Sequence, residues 1–279
     1  MARSRGGAGE AGDLRFRNRY GAWALVAGAS EGLGAAYAKA LAGRGMNLVL
    51  AARRAEPLEA LAEDLRGGLG VEVRTLAGDL ASPDFPARLA LEAAELDLGV
   101  LVYNAAHAPA GDFAEAGLAD LARVVDVNVR APVALLGAVL PRMAARGRGA
   151  VILMSSLAGN QGSPHLAAYA ASKAFNRVLA EGLWRELRDR GVDVLACCPG
   201  AVRTPGYASA SAGEAPGTLD PEFVAERTLR ALGRGPLAIP GLLNLIAFWL
   251  TGRVLPRRAA IGLMARSTRD LARAAGRKG

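Results

Sequence analysis

The stretch AWALVAGASEGLG, residues 22–34, decides the fold prediction. A short apolar run leads into a turn that contains Gly28, Gly32 and Gly34, and a helical pattern begins within that turn. Glycines at such a turn let the backbone approach a pyrophosphate, whose charge faces the amino end of the helix. Because the spacing is GxxxGxG and not GxGxxG, the strand–turn–helix context indicates the dinucleotide site, with an ordinary βα turn as the alternative.

Apolar runs of the same kind alternate with helical spacing along the chain. Strands are predicted at 46–52, 71–78, 99–105, 150–156, 192–200 and 236–240, and helices at 33–44, 56–66, 84–96, 115–146, 167–190 and 220–233. This alternation predicts right-handed crossovers and a parallel sheet that is covered on both faces. We predict an α/β, Rossmann-type, doubly wound sheet of about seven strands.

The chain outside this alternation suggests a division into three parts. Residues 1–18 are arginine-rich and are predicted to be a flexible basic tail, and 19–240 to be the catalytic domain. Residues 206–217 are small and polar, as a loop or lid would be. Asp220 and Pro221 are predicted to begin the next helix. Residues 241–279 are predicted to be a helical extension that is first apolar and then basic.

Cysteine and histidine content limits the kinds of site. The two cysteines, Cys197 and Cys198, are adjacent in an apolar run and form no disulfide framework. Two histidines are too few for a typical histidine-based metal site, so we expect no metal. No apolar run approaches the ~20 residues of a membrane span, and the amino terminus lacks a signal-peptide core. We therefore expect a reduced, cytoplasmic location.

The net charge of +8 is concentrated at the two ends. Residues 1–20 carry +3 and residues 251–279 carry +7, which leaves −2 for the rest. Basic ends attract nucleic acid or an anionic membrane, or they are simply solvated tails. Aromatic residues make up 5% and do not interleave with the basic ones, so we expect no nucleic-acid partner.

A lysine in an arginine-rich chain points to the chemistry. The chain has three lysines, and Lys173 follows Tyr169 by four residues on a predicted helix, which places both on one face. A nearby ammonium favours the phenolate, so Lys173 is predicted to lower the pKa of Tyr169. The broad fork of arginine would replace this compact charge poorly.

Two more polar residues occupy informative positions. Ser156 ends a predicted strand, and the carboxyl ends of parallel strands face the crevice where α/β sheets bind ligands; an ordinary loop serine is the alternative. Asn128 lies in a mostly apolar helix, where an amide is either exposed or part of a polar network.

The second strand ends in Arg53 and Arg54, and no acidic residue lies between 49 and 54. An acidic residue near this point binds the ribose hydroxyls of NAD(H), whereas arginine suits a 2′-phosphate. The pattern favours NADP(H), with the start of a solvated helix as the alternative. Glu31 in the glycine turn works against a phosphate dianion.

These motifs in this order resemble the short-chain dehydrogenase/reductase family. The resemblance runs from about Ala22 to Thr204. It rests on GASEGLG, AGDL with Asp79, NAA at 104–106, Asn128, Ser156, YAASK and PGAVRT. Three positions depart from the family pattern: Ala27 replaces its usual threonine, and in Asn-Asn-Ala-Gly Tyr103 replaces the first asparagine and Ala106 the glycine. Tyr103 is expected to fill the space that Ala27 leaves.

The resemblance implies roles for individual residues. Ser156 and Tyr169 would bind the substrate carbonyl oxygen, Lys173 would hold the cofactor ribose, and Asn128 would order a water that connects Lys173 to solvent. Thr204 would hold the nicotinamide carboxamide. The implied cofactor-binding set is Gly28, Ser30, Gly32, Leu33, Gly34, Arg53, Arg54, Asp79, Leu80, Asn104, Ala105, Tyr169, Lys173, Pro199, Gly200, Val202 and Thr204.

The resemblance further implies an oxidoreductase that interconverts a carbonyl and a secondary alcohol with NADP(H). We expect a lipophilic substrate of ketone, steroid or 3-oxoacyl type. A homodimer or homotetramer would pack through helices 115–146 and 167–190. The expected substrate wall is His107, Leu157, Gln161, His165 and Tyr207, with an ordinary loop histidine as the alternative for His107 and for His165. A non-catalytic NADP(H)-binding regulator and a membrane-peripheral lipid-carbonyl reductase are the alternatives.

The segment GLLNLIAFWL, residues 241–250, has apolar residues around most of a helix circumference, so exposure of one whole side is not expected. The segment could be buried in three ways: over the substrate cleft, in a subunit contact, or in a membrane interface. We favour a cover for the cleft, because the segment follows the 206–217 loop that should border it.

Overall fold

The computed structural model of the chain describes residues 15–210 and 213–276. Within them, one parallel sheet has the strand order β3-β2-β1-β4-β5-β6-β7. The strands are β1 (Trp23–Ala27), β2 (Asn47–Ala52), β3 (Val73–Ala77), β4 (Leu98–Tyr103), β5 (Gly149–Met154), β6 (Val192–Cys197) and β7 (Leu237–Ala238). The predicted Rossmann-type sheet of seven strands is confirmed. Strand order reverses between β1 and β4, which is where such sheets open a ligand crevice.

Helices cover both faces of the sheet. They are α1 (Gly32–Ala42), α2 (Ala55–Leu69), α3 (Phe85–Ala94), α4 (Leu118–Val125), α5 (Ala131–Arg146), α6 (Ala167–Arg188), α7 (Pro205–Ala210), α8 (Pro221–Ala231), α9 (Leu242–Trp249) and α10 (Arg257–Gly276). Alternation along each strand divides the core, because successive side chains point to opposite faces. In β1, Val26 packs on the α1 and α2 side, whereas Leu25 packs on the α3 and α5 side.

The ordered fold begins closer to the amino terminus than the sequence predicted. Residues 15–20 are helical, and Tyr20 is buried with its ring centre 4.8 Å from that of Phe16. The Tyr20 hydroxyl donates to Asp193 at 2.8 Å, and Arg19 pairs with the same carboxylate at 2.7 Å. The predicted flexible tail is therefore wrong for residues 15–18, and residues 1–14 lie outside the described part.

The segment 206–217, which was predicted to be a loop, begins as a helix. Its first residues belong to α7, and residues 211 and 212 are not described. Asp220 occupies the N-cap position of α8, where the helix was predicted to begin, but its carboxylate makes no capping bond and pairs with Arg203 at 2.6 Å. Pro221 occupies the first turn of α8, as predicted.

The single helix predicted over 115–146 contains a π-helical turn, Asp126–Arg130, between α4 and α5. A π turn lengthens the hydrogen-bonded ring, so a carbonyl near it needs another donor. Tyr103, at the end of β4, supplies one: its buried hydroxyl donates to the Val127 carbonyl at 2.5 Å. Tyr103 lies beside Ala27 in the β1–β4 register, so it does occupy the neighbouring space.

Tyr103→Phe should destabilise the fold, because it leaves the Val127 carbonyl without this buried donor. We expect the free energy of unfolding to fall by about 1–3 kcal/mol, measured by urea denaturation. Tyr207→Phe is the matched control. The Tyr207 hydroxyl donates to the Gly213 carbonyl and accepts the Ala215 N–H, but both groups are exposed and can bond to water, so its loss should cost less than about 0.5 kcal/mol. Equal effects of the two substitutions would contradict this role for Tyr103.

Candidate active site

A cleft of about 450 Å³ opens at the carboxyl ends of the strands, on both sides of the β1/β4 reversal. Nearly all of the predicted cofactor residues border it, as do His107 and Tyr207. Those cofactor residues are Gly28, Ser30, Gly32, Leu33, Arg53, Arg54, Asp79, Leu80, Asn104, Ala105, Tyr169, Lys173, Pro199, Gly200, Val202 and Thr204. Gly34 and Asn128 do not border the cleft. The topology therefore brings residues from 28 to 207 to one site.

The glycine turn is held against the end of β4. A Cβ on Gly28, which has φ +84°, would lie 2.7 Å from the Cα and nitrogen of Ala105. A Cβ on Gly34 would lie 1.9 Å from the Gly28 carbonyl oxygen, which also accepts a bond from the Asn104 amide at 2.9 Å. No larger residue fits either position, so the turn depends on both glycines. This close packing places the amino end of α1 at the cleft.

A charged cluster lies at the β2 and β3 side of the cleft. Arg54 pairs with Glu31 at 2.6 Å, so the acidic residue predicted to oppose a phosphate is neutralised. Asp79 pairs with Arg123 at 2.7 Å and accepts the Ala81 N–H at 3.0 Å. Although burial acts to raise the pKa of Asp79, these bonds and the nearby arginine charges lower it.

Two features of this cluster bear on ligand binding. Arg53 borders the cleft and has no ion pair with any described residue, which leaves its guanidinium available to an anionic ligand. Arg123 was not predicted from the sequence. It reaches the cluster from α4, 44 residues after its partner Asp79, and no local pattern marks such a contact.

The other end of the cleft brings together Ser156, Tyr169 and Lys173. Ser156 follows β5, and its hydroxyl accepts the Ala158 N–H at 3.2 Å, which starts the 3₁₀ turn Leu157–Asn160. Desolvation raises the pKa of Tyr169 and outweighs the hydrogen bond with Ser156, which lowers it. A tyrosine in this setting keeps its proton at neutral pH.

Lys173 is buried one helical turn after Tyr169, with its ammonium 5.5 Å from the centre of the tyrosine ring. It donates to the Met154 carbonyl at 2.8 Å, and burial lowers its pKa to about 8. The shared face predicted for the two residues is confirmed. The predicted lowering of the Tyr169 pKa is wrong in this structure, because desolvation dominates at the phenol.

Asn128 lies in the π turn and forms part of a polar network. Its side-chain oxygen accepts the His107 N–H at 2.8 Å, and its amide donates to the His107 carbonyl and to the Ser172 hydroxyl, both at 2.9 Å. Its own carbonyl accepts from Asn176 at 3.1 Å. The asparagine therefore joins the segment after β4 to α6. The water that the resemblance places between Lys173 and solvent stays a prediction.

The structure brings only part of the predicted substrate wall to the cleft, and contact with a substrate stays a prediction. His107 and Tyr207 border the cleft, whereas Leu157, Gln161 and His165 do not. Gln161 is buried at the end of the 3₁₀ turn. His165 lies in a second cavity of about 560 Å³, where its ring pairs with Asp112 at 2.7 Å and its backbone adopts a left-handed φ of +62°. Loop conformation thus turns His165 away from the cleft.

The extension does not cover the cleft either, because none of the described side chains after Gly241 borders it. The predicted cover is wrong in this structure. Instead, α9 packs behind the 3₁₀ turn, where the Asn160 amide donates to the Phe248 carbonyl at 2.8 Å. The oxygen of Asn244 occupies the space that a Cβ on Gly200 would need. The helix therefore supports the back of the site.

A model of the short-chain dehydrogenase family matches residues 22–215, well over half of the chain. The chain belongs to the short-chain dehydrogenase family. The resemblance identified from the sequence is therefore confirmed, and the cleft corresponds to a site for a nicotinamide dinucleotide.

Two relatives of this short-chain dehydrogenase show how far the similarity extends. A 7beta-hydroxysteroid dehydrogenase of Clostridium sardiniense is 34% identical over 234 residues, which are 83% of this chain and 90% of that protein. A very-long-chain 3-oxoacyl-CoA reductase of Podospora anserina is 38% identical over 188 residues, 65% of this chain but only 55% of that longer protein.

Two solved structures are similar to the whole fold. One, from work on 7beta-hydroxysteroid dehydrogenase stereoselectivity, has a TM-score of 0.85 at 30% identity and covers 89% of this chain and 98% of its own. The other is a short-chain dehydrogenase from Sphingobium yanoikuyae in complex with NADPH. It has a TM-score of 0.76 at 34% identity, and the match covers 87% of this chain and 94% of that one. Both support the described sheet and crevice.

The cleft of this short-chain dehydrogenase fits a nicotinamide dinucleotide at both ends. In the glycine turn, Gly28, Gly32 and Gly34 carry no side chains at its most crowded points. A pyrophosphate can therefore approach the amino end of α1. Thr204 lies against Gly32, with its methyl carbon 2.8 Å from where a Cβ would be. The turn, Thr204 and the Ser156–Tyr169–Lys173 group thus border one continuous cleft.

Burial of Lys173 should make stability depend on pH. Its pKa is about 8 in the fold and about 10.4 in an unfolded chain, so below pH 8 its charge costs the fold about 3 kcal/mol. This cost is lost as the pH rises towards 10, where the unfolded chain also releases the proton. The free energy of unfolding of Lys173→Met, relative to the parent, should fall by about 2–3 kcal/mol between pH 7 and pH 10.

The measurement is urea denaturation of both proteins across this range. Because both share every other titrating group, those groups cancel in the difference. A difference that does not change with pH would contradict the lowered pKa.

Proposed function

We propose that this short-chain dehydrogenase is an NADP(H)-dependent oxidoreductase that interconverts a bulky, lipophilic ketone and its secondary alcohol. The observation that carries the proposal is one cleft with Ser156, Tyr169 and Lys173 at one end and the unpaired Arg53 at the other. The first group suits proton transfer to a carbonyl, and Arg53 suits a 2′-phosphate. The solved relative from Sphingobium yanoikuyae binds NADPH, which supports this cofactor.

The protein's own residues supply the proton and the positioning. Tyr169 donates its proton to the carbonyl oxygen in the reducing direction, and its raised pKa keeps that proton available at neutral pH. Ser156 hydrogen-bonds the same oxygen and polarises the carbonyl. Lys173 holds the ribose, and Asn128 orders the connecting water. Bound NADPH supplies the hydride.

The lining of the cleft favours a neutral substrate. Its charged residues other than Lys173 and His107 belong to the cluster around Arg53 and Asp79, away from Tyr169. No arginine is therefore placed to pair with an anionic group beside the reacting carbonyl. The described relatives act on a hydroxysteroid and on a 3-oxoacyl-CoA, according to their names. A steroid-type ketone is our first choice and a 3-oxoacyl compound our second.

We also propose a homodimer or homotetramer in the cytoplasm. Helices α4, α5 and α6 expose apolar side chains, and such groups are usually covered in an assembly. These side chains are Leu118, Val125, Val133, Phe175 and Val178.

Arg53 should set the cofactor preference. A charge-assisted hydrogen bond to the 2′-phosphate is worth about 1.5–3 kcal/mol, so Arg53→Ala should lower kcat/KM for NADPH about 10- to 100-fold and leave NADH nearly unchanged. Arg53→Asp should reverse the preference. Kinetics with both cofactors on one ketone measure this effect.

The double substitution Glu31→Ala/Arg54→Ala is the matched control, since it removes both partners of one ion pair and leaves no unpaired carboxylate in the glycine turn; it should lower kcat/KM for NADPH less than Arg53→Ala does. Equal use of NADPH and NADH by the parent enzyme would refute the proposed cofactor. Equal losses for the two alanine variants would refute the particular role of Arg53.

Tyr169 should be the general acid. Tyr169→Phe keeps the ring and removes the transferable proton, which should lower kcat by about 10²–10⁴. The assay is NADPH oxidation with a panel of steroid ketones, 3-oxoacyl thioesters and short ketones. Affinity for NADPH, measured by fluorescence titration, should change little.

Tyr20→Phe provides the control, because its hydroxyl bonds to Asp193 outside the cleft and its loss should leave turnover intact. Near-parental turnover by Tyr169→Phe would overturn the mechanism. Binding of NADPH without turnover of any ketone by the parent would favour a cofactor-binding regulator.

A further inference from the structure

Helix α9 and the π turn that follows it, residues 242–254, have the reverse polarity of an ordinary surface helix. Asn244 and Thr251 are buried, whereas the apolar side chains lie on the outer face. A surface helix normally turns its apolar stripe inward. The sequence predicted burial around most of this helix, yet of its large apolar residues only Phe248 is buried. The exposed apolar residues are Leu242, Leu243, Leu245, Ile246, Trp249, Leu250 and Val254.

Hydrogen bonds hold the helix in this orientation. The Asn244 amide donates to the carbonyls of Pro240 at 3.1 Å and Gly217 at 3.2 Å. The Asn160 amide donates to the Thr251 hydroxyl at 2.9 Å and to the Phe248 carbonyl. Rotation of the helix about its axis would break these buried bonds, and each lost bond would leave an unsatisfied polar group. The outward apolar face is therefore fixed by the fold.

The apolar face is large enough to imply a nonpolar contact. Seven apolar residues lie within 13 positions of one exposed element, and Leu242 is 72% exposed and Val254 68%. Soluble monomers rarely expose a contiguous apolar patch of this kind unless it binds something. Either another protein surface or a lipid surface could cover it.

The charges around the patch distinguish between these two. From Gly241 to Arg269 the chain contains five arginines and no acidic residue. Arg253, Arg257 and Arg258 are exposed, and the Arg253 guanidinium lies 5.4 Å from the Trp249 ring centre. In a two-fold contact the patch would meet itself, so arginines of this segment would face arginines. An anionic surface would instead pair with the exposed arginines that flank the patch.

Length decides how the segment meets a lipid surface. Thirteen helical residues extend about 20 Å, which is shorter than the ~30 Å hydrocarbon core of a bilayer. Such a helix lies in the interface plane, with apolar residues in the acyl boundary and basic residues at the headgroups. Within the described residues, Leu118–Arg146 is the stretch long and apolar enough to cross a membrane, but half of its apolar window is buried in the protein.

We propose that residues 242–254 form a peripheral membrane-docking surface for an anionic phospholipid bilayer. Their apolar face enters the acyl boundary, and Arg253 and Arg258 bind the phosphate headgroups, whereas Arg257 donates to the Asn160 carbonyl at 3.0 Å. The proposal is independent of the catalytic one, since no residue of the segment borders the cleft.

The test is cosedimentation of the full chain with vesicles of phosphatidylcholine alone or mixed with phosphatidylglycerol. The parent should bind the mixed vesicles more tightly, and added salt should weaken binding. Leu243→Glu/Ile246→Glu should lower the partition coefficient by at least about tenfold, because each glutamate removes apolar burial and repels the headgroups. Arg253→Glu/Arg258→Glu should abolish the preference for mixed vesicles.

Leu91→Glu is the matched control, because Leu91 is 71% exposed on α3 and its replacement should leave binding unchanged. All variants should keep the parent's urea midpoint, which shows that they fold. Three outcomes would overturn the proposal: no vesicle binding by the parent, equal binding by Leu243→Glu/Ile246→Glu, or a fall in oligomer mass in that variant with binding unchanged. The last outcome would assign the face to a subunit contact.

Discussion

The approach of the glycine turn to the end of β4 is the constraint on which the rest of the site depends. A side chain at Gly28 would meet the backbone of Ala105 at 2.7 Å, and one at Gly34 would meet the Gly28 carbonyl. Neither position admits a Cβ. The backbone of the turn between β1 and α1 therefore packs directly against the backbone at the end of β4. The crevice can then form where strand order reverses, with the Asn104 amide bound to the same carbonyl.

Asn128 performs the corresponding task at the chemical end. Its side chain bonds both backbone groups of His107 and the hydroxyl of Ser172, which is the residue before Lys173. One amide therefore connects the segment after β4 to the helix that carries Tyr169. Removal of either partner would leave a buried polar group unsatisfied, so the network fixes the helix more firmly than any single bond would.

Local patterns predicted the sheet and the glycine turn, because both are read over a few residues, whereas most of the other cleft residues were implied by the family resemblance. The errors concern long-range contacts. Arg123 reaches Asp79 from another element, and His165 pairs with Asp112 in a second cavity and not in the cleft. The apolar residues of 241–250 were expected to be buried, but the polar contacts of Asn244 and Thr251 decide which side of the helix faces inward.

The departure from the family pattern at Tyr103 shows how a local change can alter support without altering chemistry. Tyr103 lies beside Ala27, where a family threonine would carry a hydroxyl. Its own hydroxyl goes instead to the Val127 carbonyl, one residue before Asn128. The hydrogen bond thus stabilises the π turn that carries the Asn128 amide, while Ser156, Tyr169 and Lys173 are untouched. In this chain the end of β4 therefore supports the helix that carries Asn128 through one side-chain bond.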